Sequence, residues 1–204
     1  MSAISLFALA GAMFLLAITP GPGVFATVAR ALASGFKHSA FVVAGIVVGD
    51  LIFLLSAIFG LSAIAENLHG LFVAIKYAGA AYLIFLGIKL WREKPKQIQI
   101  SGITGKSWKS NFLTGLFITL GNPKVILFYL GFLPTFVDLS SLSGTDIFAI
   151  ASVVSIVLGS TMLAYGFAAA NTRSLFQNTR SQRFMNRSAG STMILTGVVL
   201  ATKT

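Results

Sequence analysis

Two ionisable side chains lie deep inside apolar stretches of this sequence, where charges are rare. Asp50 is the only acidic residue well inside a predicted membrane span, and Lys124 is the only basic residue near a predicted midplane. Asp50 comes about 11 residues after the start of its stretch, which is roughly 16 Å along a helix. A charge at that depth costs at least about 2.5–3.5 kcal/mol, and such residues usually face a cavity or a partner. The sequence therefore predicts either a buried ion pair between Asp50 and Lys124 or a substrate path that both residues line.

Helix-breaking residues occur near both charges. Thr19–Gly23 has the sequence TPGPG and Gly121–Lys124 has the sequence GNPK, about half a chain length apart. Because proline has no backbone N–H and its ring clashes with the preceding turn, both spans should kink or unwind there. A packing kink explains each proline alone equally well. Together, the freed backbone groups suit a zwitterion of amino-acid size. The N-termini of the half-helices would face its carboxylate, and the freed carbonyls together with Asp50 would face its ammonium.

A site of this kind assigns two roles to the charged residues. Asp50 exchanges a coupling proton or binds the substrate ammonium, and Lys124 is its partner or binds the carboxylate. The predicted substrate-binding residues are Thr19, Pro20, Gly21, Pro22, Gly23, Asp50, Asn122, Pro123 and Lys124.

The elements that must position these residues are membrane helices. Of the 204 residues, 56% are hydrophobic and only 10% are charged, against about 25% charged in soluble domains. The sequence predicts an all-α polytopic protein in a lipid bilayer, forming one transmembrane transporter domain over residues 1–204. About six spans are expected, at residues 4–28, 39–63, 70–91, 111–135, 146–170 and 187–202.

The basic residues alternate along the predicted connections. The first, third and fifth connections are basic, and the first holds Arg30 and Lys37, whereas the fourth holds Asp138 and Asp146 without a basic residue. The positive-inside rule makes the three basic connections cytoplasmic and both termini external. This topology accounts for the net charge of +10, so no nucleic-acid partner is predicted.

The two halves of the chain resemble each other. Besides the matched breaks, Lys76–Gly79 running on to Gly87 is similar to Arg187–Gly190 running on to Gly197. We predict a first repeat over about 1–91, a cytoplasmic linker over about 92–110 and a second repeat over about 111–204. Three spans per half give the halves opposite orientations, as in many secondary transporters. The alternative is a coincidence of the glycine and proline common in membrane helices.

Glycines in the spans are expected to let helices approach closely. We predict such contacts at Gly45 and Gly49 in the second span, and at Gly79, Gly87, Gly190 and Gly197 in the third and sixth. A homodimer through a glycine face is compatible with this pattern. Tyr82, Tyr129 and Tyr165 need hydroxyl partners, and core packing is favoured over substrate contact for all three.

Other functional classes fit the sequence poorly. Cysteine is absent and His38 and His69 lie at span edges, so no metal or cofactor is predicted. An intramembrane aspartyl protease needs a second membrane aspartate and a serine protease needs a membrane histidine, so no enzyme is predicted. A passive pore for small neutral solutes stays open as an alternative.

The residues together resemble the LysE/RhtB family of amino-acid exporters. The similar elements are Ala17–Pro22, Gly49–Asp50, Ala78–Gly87 and Gly121–Lys124, and the resemblance covers essentially the whole chain. It implies a secondary transporter that exports amino acids or related small metabolites from a bacterial cytoplasm by proton antiport.

Overall fold

The computed structural model describes residues 2–67, 77, 80–81, 84–85, 87–89, 91–92, 107–131, 133–138, 141–171 and 179–202. Its helices are α1 (Ala3–Ile18), α2 (Pro22–Ser34), α3 (Phe36–Asn67), α4 (Trp108–Leu120), α5 (Pro123–Gly131), α6 (Gly144–Asn171) and α7 (Thr179–Thr202). A short 3-10 helix covers Leu133–Thr135, and the described residues between 77 and 92 are helical. No strand occurs in these ranges, so the predicted all-α class is confirmed.

Several of these helices suit a bilayer. The Phe36–Gly60 part of α3 and the whole of α6 are long and apolar enough to cross a membrane. The pair α1 and α2 passes the same test as one span bent by 57°, and Trp108–Leu120 with Lys124–Thr135 passes as one bent by 54°. Bulky side chains such as Phe59 and Phe148 are exposed on the outside, as lipid contact requires. The described residues therefore give two to four spans of a polytopic membrane protein.

The two to four spans counted among the described residues do not include two of the predicted spans. The span at 70–91 lies largely outside the described residues. The span at 187–202 lies inside α7, which begins at Thr179 and so takes in Arg180, Arg183 and Arg187. These arginines were expected in a connection, but arginine is a good helix former and does not end a helix. The count of six spans stays a prediction.

Both predicted interruptions are present, so the structure confirms them. Helix α1 ends at Ile18, Thr19 and Pro20 are non-helical, and Pro22 is the first residue of α2, a position where proline's missing N–H costs nothing. Helix α4 ends at Leu120, and α5 begins at Pro123.

Glycine contacts bring α3 and α4 together. A Cβ on Gly45 would overlap the Phe112 carbonyl, and a Cβ on Gly115 would overlap the Val42 carbonyl. A Cβ on Gly49 would lie 3.0 Å from Thr119 Cβ. The predicted close approach of the second span is confirmed, and α3 also packs against α2, α5 and α6.

A second glycine contact joins the helical residues between 77 and 92 to α7. A Cβ on Gly87 would lie 2.6 Å from the Gly190 carbonyl oxygen, and one on Gly197 would lie 2.7 Å from that of Ala80. The predicted role of Gly87, Gly190 and Gly197 is confirmed, while Gly79 lies outside the described residues.

The prediction that Arg30 lies in a connection is wrong. Helix α2 continues to Ser34, and Arg30 is buried in it with Nη1 3.5 Å from Ser34 Oγ. The turn between α2 and α3 is Gly35 alone, whose φ of 83° favours glycine. Arginine is a good helix former, so its charge did not mark the helix end.

Candidate functional site

The two helix breaks face each other across one small cavity of about 40 Å³. Six of the nine predicted site residues line it: Thr19, Gly21, Gly23, Asp50, Asn122 and Lys124. Pro20 and Pro22 do not. Pro20 is buried within the first break, whereas Pro22 and Pro123 begin α2 and α5. The prolines therefore shape the breaks, and the other six residues surround the space between them.

Lys124 connects the second break to the first. Its Nζ donates hydrogen bonds to the carbonyl oxygens of Leu16 and Thr19, both at 2.8 Å. The Leu16 carbonyl would normally accept from the residue four positions on, which is Pro20 and has no N–H. The side chain is 7% exposed, and its positive charge lies at the C-terminal end of α1, where the helix dipole favours a cation.

Pro22 frees a second carbonyl in the same way. The residue four positions before it is Ile18, and Tyr165 of α6 donates its hydroxyl to the Ile18 carbonyl at 2.7 Å. Thr19 adds a local contact, because its Oγ1 donates to the Leu15 carbonyl at 2.6 Å. The expected hydroxyl partner of Tyr165 is thus a backbone group that a proline leaves unbonded.

Asp50 has a different partner. The buried hydroxyl of Tyr129 on α5 donates to Asp50 Oδ2, and both residues are 1% exposed. The direct ion pair between Asp50 and Lys124 is not present within the described part of the chain. Each group is instead hydrogen-bonded to neutral groups, Asp50 to Tyr129 and Lys124 to two carbonyls, and both line the same cavity.

Asn122 acts mainly on the backbone of the second break. Its Oδ1 accepts a hydrogen bond from the Lys124 amide at 3.2 Å, which caps α5. The backbone N–H of Asn122 donates to the Thr119 carbonyl at 2.9 Å, and the backbone N–H of Gly121 donates to the Phe117 carbonyl at 2.9 Å. This arrangement holds Lys124 at the start of α5 and directs it toward α1.

Tyr129 is the functional candidate that the sequence interpretation assigned to core packing. A signal for it exists, because a tyrosine hydroxyl and a carboxylate that both lie in a membrane each need a partner. Tyr129 lies in the same predicted span as Lys124, and few side chains in the predicted spans could donate a hydrogen bond to Asp50. Pairing the two groups from the sequence alone still required knowing which helix faces meet.

The cavity combines charge with apolar walls. Val24, Ile46, Val125, Leu158 and Met162 line it beside the polar groups. A cavity needs about 10–15 Å³ to hold one water, so this space of about 40 Å³ can hold water, whereas a solute of amino-acid size requires the helices to move apart. Within the described residues, no group of three His, Cys, Asp or Glu side chains could hold a metal ion.

Comparison with known proteins gives one family match over most of the chain. The model described as LysE type translocator matches residues 14–204. An uncharacterized membrane protein of Synechocystis sp. is 37% identical over 96% of this chain and 95% of its own length. The leucine efflux protein of Salmonella typhimurium is 30% identical over 73% of this chain and 71% of its own. An uncharacterized membrane protein of Bacillus subtilis is 25% identical over 90% of this chain and 92% of its own length. No solved structure gives a significant match.

Proposed function

The chain belongs to the LysE type translocator family, and on that premise we propose that it exports amino acids with apolar side chains from a bacterial cytoplasm. It is a membrane transporter and not an enzyme. The observation that carries the proposal is the joint burial of Asp50 and Lys124 in one cavity between two broken helices. A buried acid and a buried base in one small space suit a ligand that carries both charges.

The zwitterionic end of the substrate has a partner for each charge. A lysine ammonium has three N–H donors, and Lys124 uses two of them on the Leu16 and Thr19 carbonyls. The third has no protein partner among the described residues, so we assign it to the substrate carboxylate. The Asp50 carboxylate, which also faces the cavity, then receives the substrate ammonium.

The side chain of the substrate is proposed to be apolar. Apart from the six predicted site residues, eight residues line the cavity, and Thr119 is the one polar side chain among them. The other seven are apolar: Leu16, Ala17, Val24, Ile46, Val125, Leu158 and Met162. A polar substrate side chain would lose its hydration against these seven residues, and only the Thr119 hydroxyl among the eight could compensate for part of the loss. The leucine efflux proteins among the relatives support the same substrate class.

Proton antiport and alternating access complete the proposal. Asp50 exchanges a proton when the substrate ammonium leaves, and Tyr129 holds the carboxylate in place in the absence of substrate. The two bends of 57° and 54° support an inverted repeat of two halves that move against each other around the cavity. The positive-inside rule supports external termini.

Export from loaded cells tests this function. Cells with and without the protein are loaded with dipeptides, and each free amino acid is followed inside and outside, with and without an uncoupler. We expect release of leucine or similar amino acids against their gradient, and loss of that release with the uncoupler. Release that only follows the gradient and ignores the uncoupler would favour the passive pore.

The Asp50→Asn variant tests the role of the carboxylate. Asparagine keeps the shape and can still accept from Tyr129, but it has neither the charge nor the exchangeable proton. We expect export to fall to background while the amount of protein in the membrane stays near normal. Export that continues in both Asp50→Asn and Lys124→Met would contradict the site assignment.

A further inference from the structure

A second buried polar layer lies in the same bundle, away from the cavity. It consists of Thr27 on α2, Ser39 on α3 and Asn111 on α4, all of them 0% exposed. These three residues, with Gly166 on α6, are called the inner polar layer. Under the predicted topology it lies on the cytoplasmic side of the cavity.

The helix faces that line the cavity lead to this layer. Ser39 precedes Asp50 by three helical turns on α3, and Asn111 precedes the cavity residue Thr119 by about two turns on α4, which is a separation of roughly 12–16 Å along these two helices. On α2 and α6, Thr27 and Gly166 each lie about one turn from a cavity residue, Val24 and Met162 respectively. Four helices therefore lead from one polar level to the other.

The inner polar layer is tightly closed. A Cβ on Gly166 would lie 2.7 Å from Ser39 Oγ and 3.5 Å from Thr27 Cγ2. Helices α2, α3 and α6 thus meet with no room for a methyl group. Asn111 joins α4 to the same level, because its Nδ2 lies 3.2 Å from Nδ1 of His38, the residue before Ser39.

Two polar atoms of the closed layer have no hydrogen-bond partner among the residues that the structure describes. Thr27 Oγ1 and Asn111 Oδ1 are buried and unpaired, although a buried group left unsatisfied costs about 1–3 kcal/mol. Such groups in a native protein need a physical explanation. Ser39 is different, since its Oγ donates to the Phe36 carbonyl at 2.7 Å. The unpaired atoms lie on α2 and α4, the two helices that carry the breaks.

We propose that the inner polar layer is a second binding station for the amino-acid substrate, between the cytoplasm and the cavity. This rests on the proposed function. When α6 moves away at Gly166, the Thr27 hydroxyl donates to the substrate carboxylate and Asn111 Oδ1 accepts from its ammonium. The structure shows the station closed, so the unpaired atoms are those that the substrate satisfies during passage.

Cysteine labelling tests the station, and the absence of native cysteine makes single-cysteine variants simple to interpret. Thr27→Cys and Ser39→Cys change little volume. Val28→Cys is the matched control, because Val28 is the next residue on α2 and is 1% exposed. Inverted membrane vesicles, which present the cytoplasmic face, are treated with a membrane-impermeant cationic thiosulfonate, with and without an equimolar mixture of the common amino acids. Cysteine is left out of the mixture, because its thiol would consume the reagent.

We expect several-fold faster labelling at residues 27 and 39 than at residue 28, and slower labelling in the amino-acid mixture. Equal labelling at all three positions would indicate non-specific opening of α2 and α3 and would overturn the proposal, as would labelling that the mixture leaves unchanged. Absence of labelling at 27 and 39 would overturn it too. Export by the unmodified protein is measured in parallel, so a chain that exports but fails the labelling test rejects the station and keeps the function. Protected labelling without export rejects the export function alone.

Discussion

The two helix breaks bend the chain by similar angles, 57° and 54°, but they are stabilised in different ways. The break at Thr19–Gly21 leaves the Leu16 and Ile18 carbonyls to accept from Lys124 and Tyr165, which belong to other helices. The break at Gly121–Asn122 satisfies its groups locally, through the Asn122 side chain and backbone turns. The first break therefore depends on tertiary contacts, and the second does not.

This difference indicates which side of the cavity can rearrange. The second break is a fixed platform that presents Lys124, whereas the end of α1 keeps its geometry only while side chains from α5 and α6 remain in contact. A substrate that draws Lys124 toward its carboxylate would weaken that contact. In the proposed transport cycle, this would couple motion of α1 to binding, as alternating access requires.

Lys124→Met should give the largest effect, because it removes the contact between the two breaks. The Leu16 and Thr19 carbonyls lose their donor, and a buried unsatisfied group costs about 1–3 kcal/mol. We expect export at background and a lower melting temperature of the purified protein in detergent. The control is Lys37→Met, which replaces an exposed lysine at the start of α3 and should behave as the unmodified protein does.

Pro20→Ala tests the cause of this dependence. Alanine supplies the N–H that the Leu16 carbonyl lacks, so α1 gains a backbone hydrogen bond and the need for Lys124 declines. We expect the first span to become straighter and export to decrease. The double variant Pro20→Ala/Lys124→Met should melt at a higher temperature than Lys124→Met alone. If the double variant instead loses as much stability as the two single variants combined, Lys124 does not compensate for the missing N–H of the proline.

Local chemistry explains which parts of this arrangement the sequence predicts. A proline has no N–H wherever it lies, so TPGP and GNPK predict both breaks, and a charge at mid-membrane depth predicts that Asp50 and Lys124 face a shared space. The close contacts of Gly45, Gly87, Gly190 and Gly197 also follow from composition and position. The same reasoning predicted nine site residues, of which six line the cavity.

The partners could not be predicted, because they depend on how helices rotate against each other. A lysine side chain is long enough to reach an aspartate or a carbonyl, and only the packing of α5 against α1 and α3 decides that Lys124 contacts carbonyls while Tyr129 contacts Asp50. Arg30 was misplaced because its charge suggests a connection, whereas the end of α2 is set by Gly35. The inner polar layer was missed since serine, threonine and asparagine in a span carry no strong sequence signal.

Asn122→Ala should have a moderate effect on the second break. The variant loses the cap on α5, which typically contributes about 1 kcal/mol, but the backbone turns at Gly121 and Asn122 remain. We expect a small fall in melting temperature and reduced export, because Lys124 is held less firmly. Asn122→Asp, which keeps the cap acceptor, should preserve the melting temperature. A collapse of Asn122→Ala comparable to that of Lys124→Met would contradict the self-contained character of this break.

Tyr165→Phe should have the smallest effect of the four, and it tests the first break from its other side. The variant keeps the ring and removes only the hydroxyl that donates to the Ile18 carbonyl. Tyr165 is not fully buried, so a solvent or lipid-headgroup donor can replace part of the lost hydrogen bond, whose net contribution is about 0.5–1.5 kcal/mol. We expect a slight fall in melting temperature and a measurable but incomplete loss of export. Combining Tyr165→Phe with Pro22→Ala, which returns an N–H to the Ile18 carbonyl, should restore the melting temperature. If it does not, the hydroxyl acts through some contact other than the carbonyl that Pro22 leaves free.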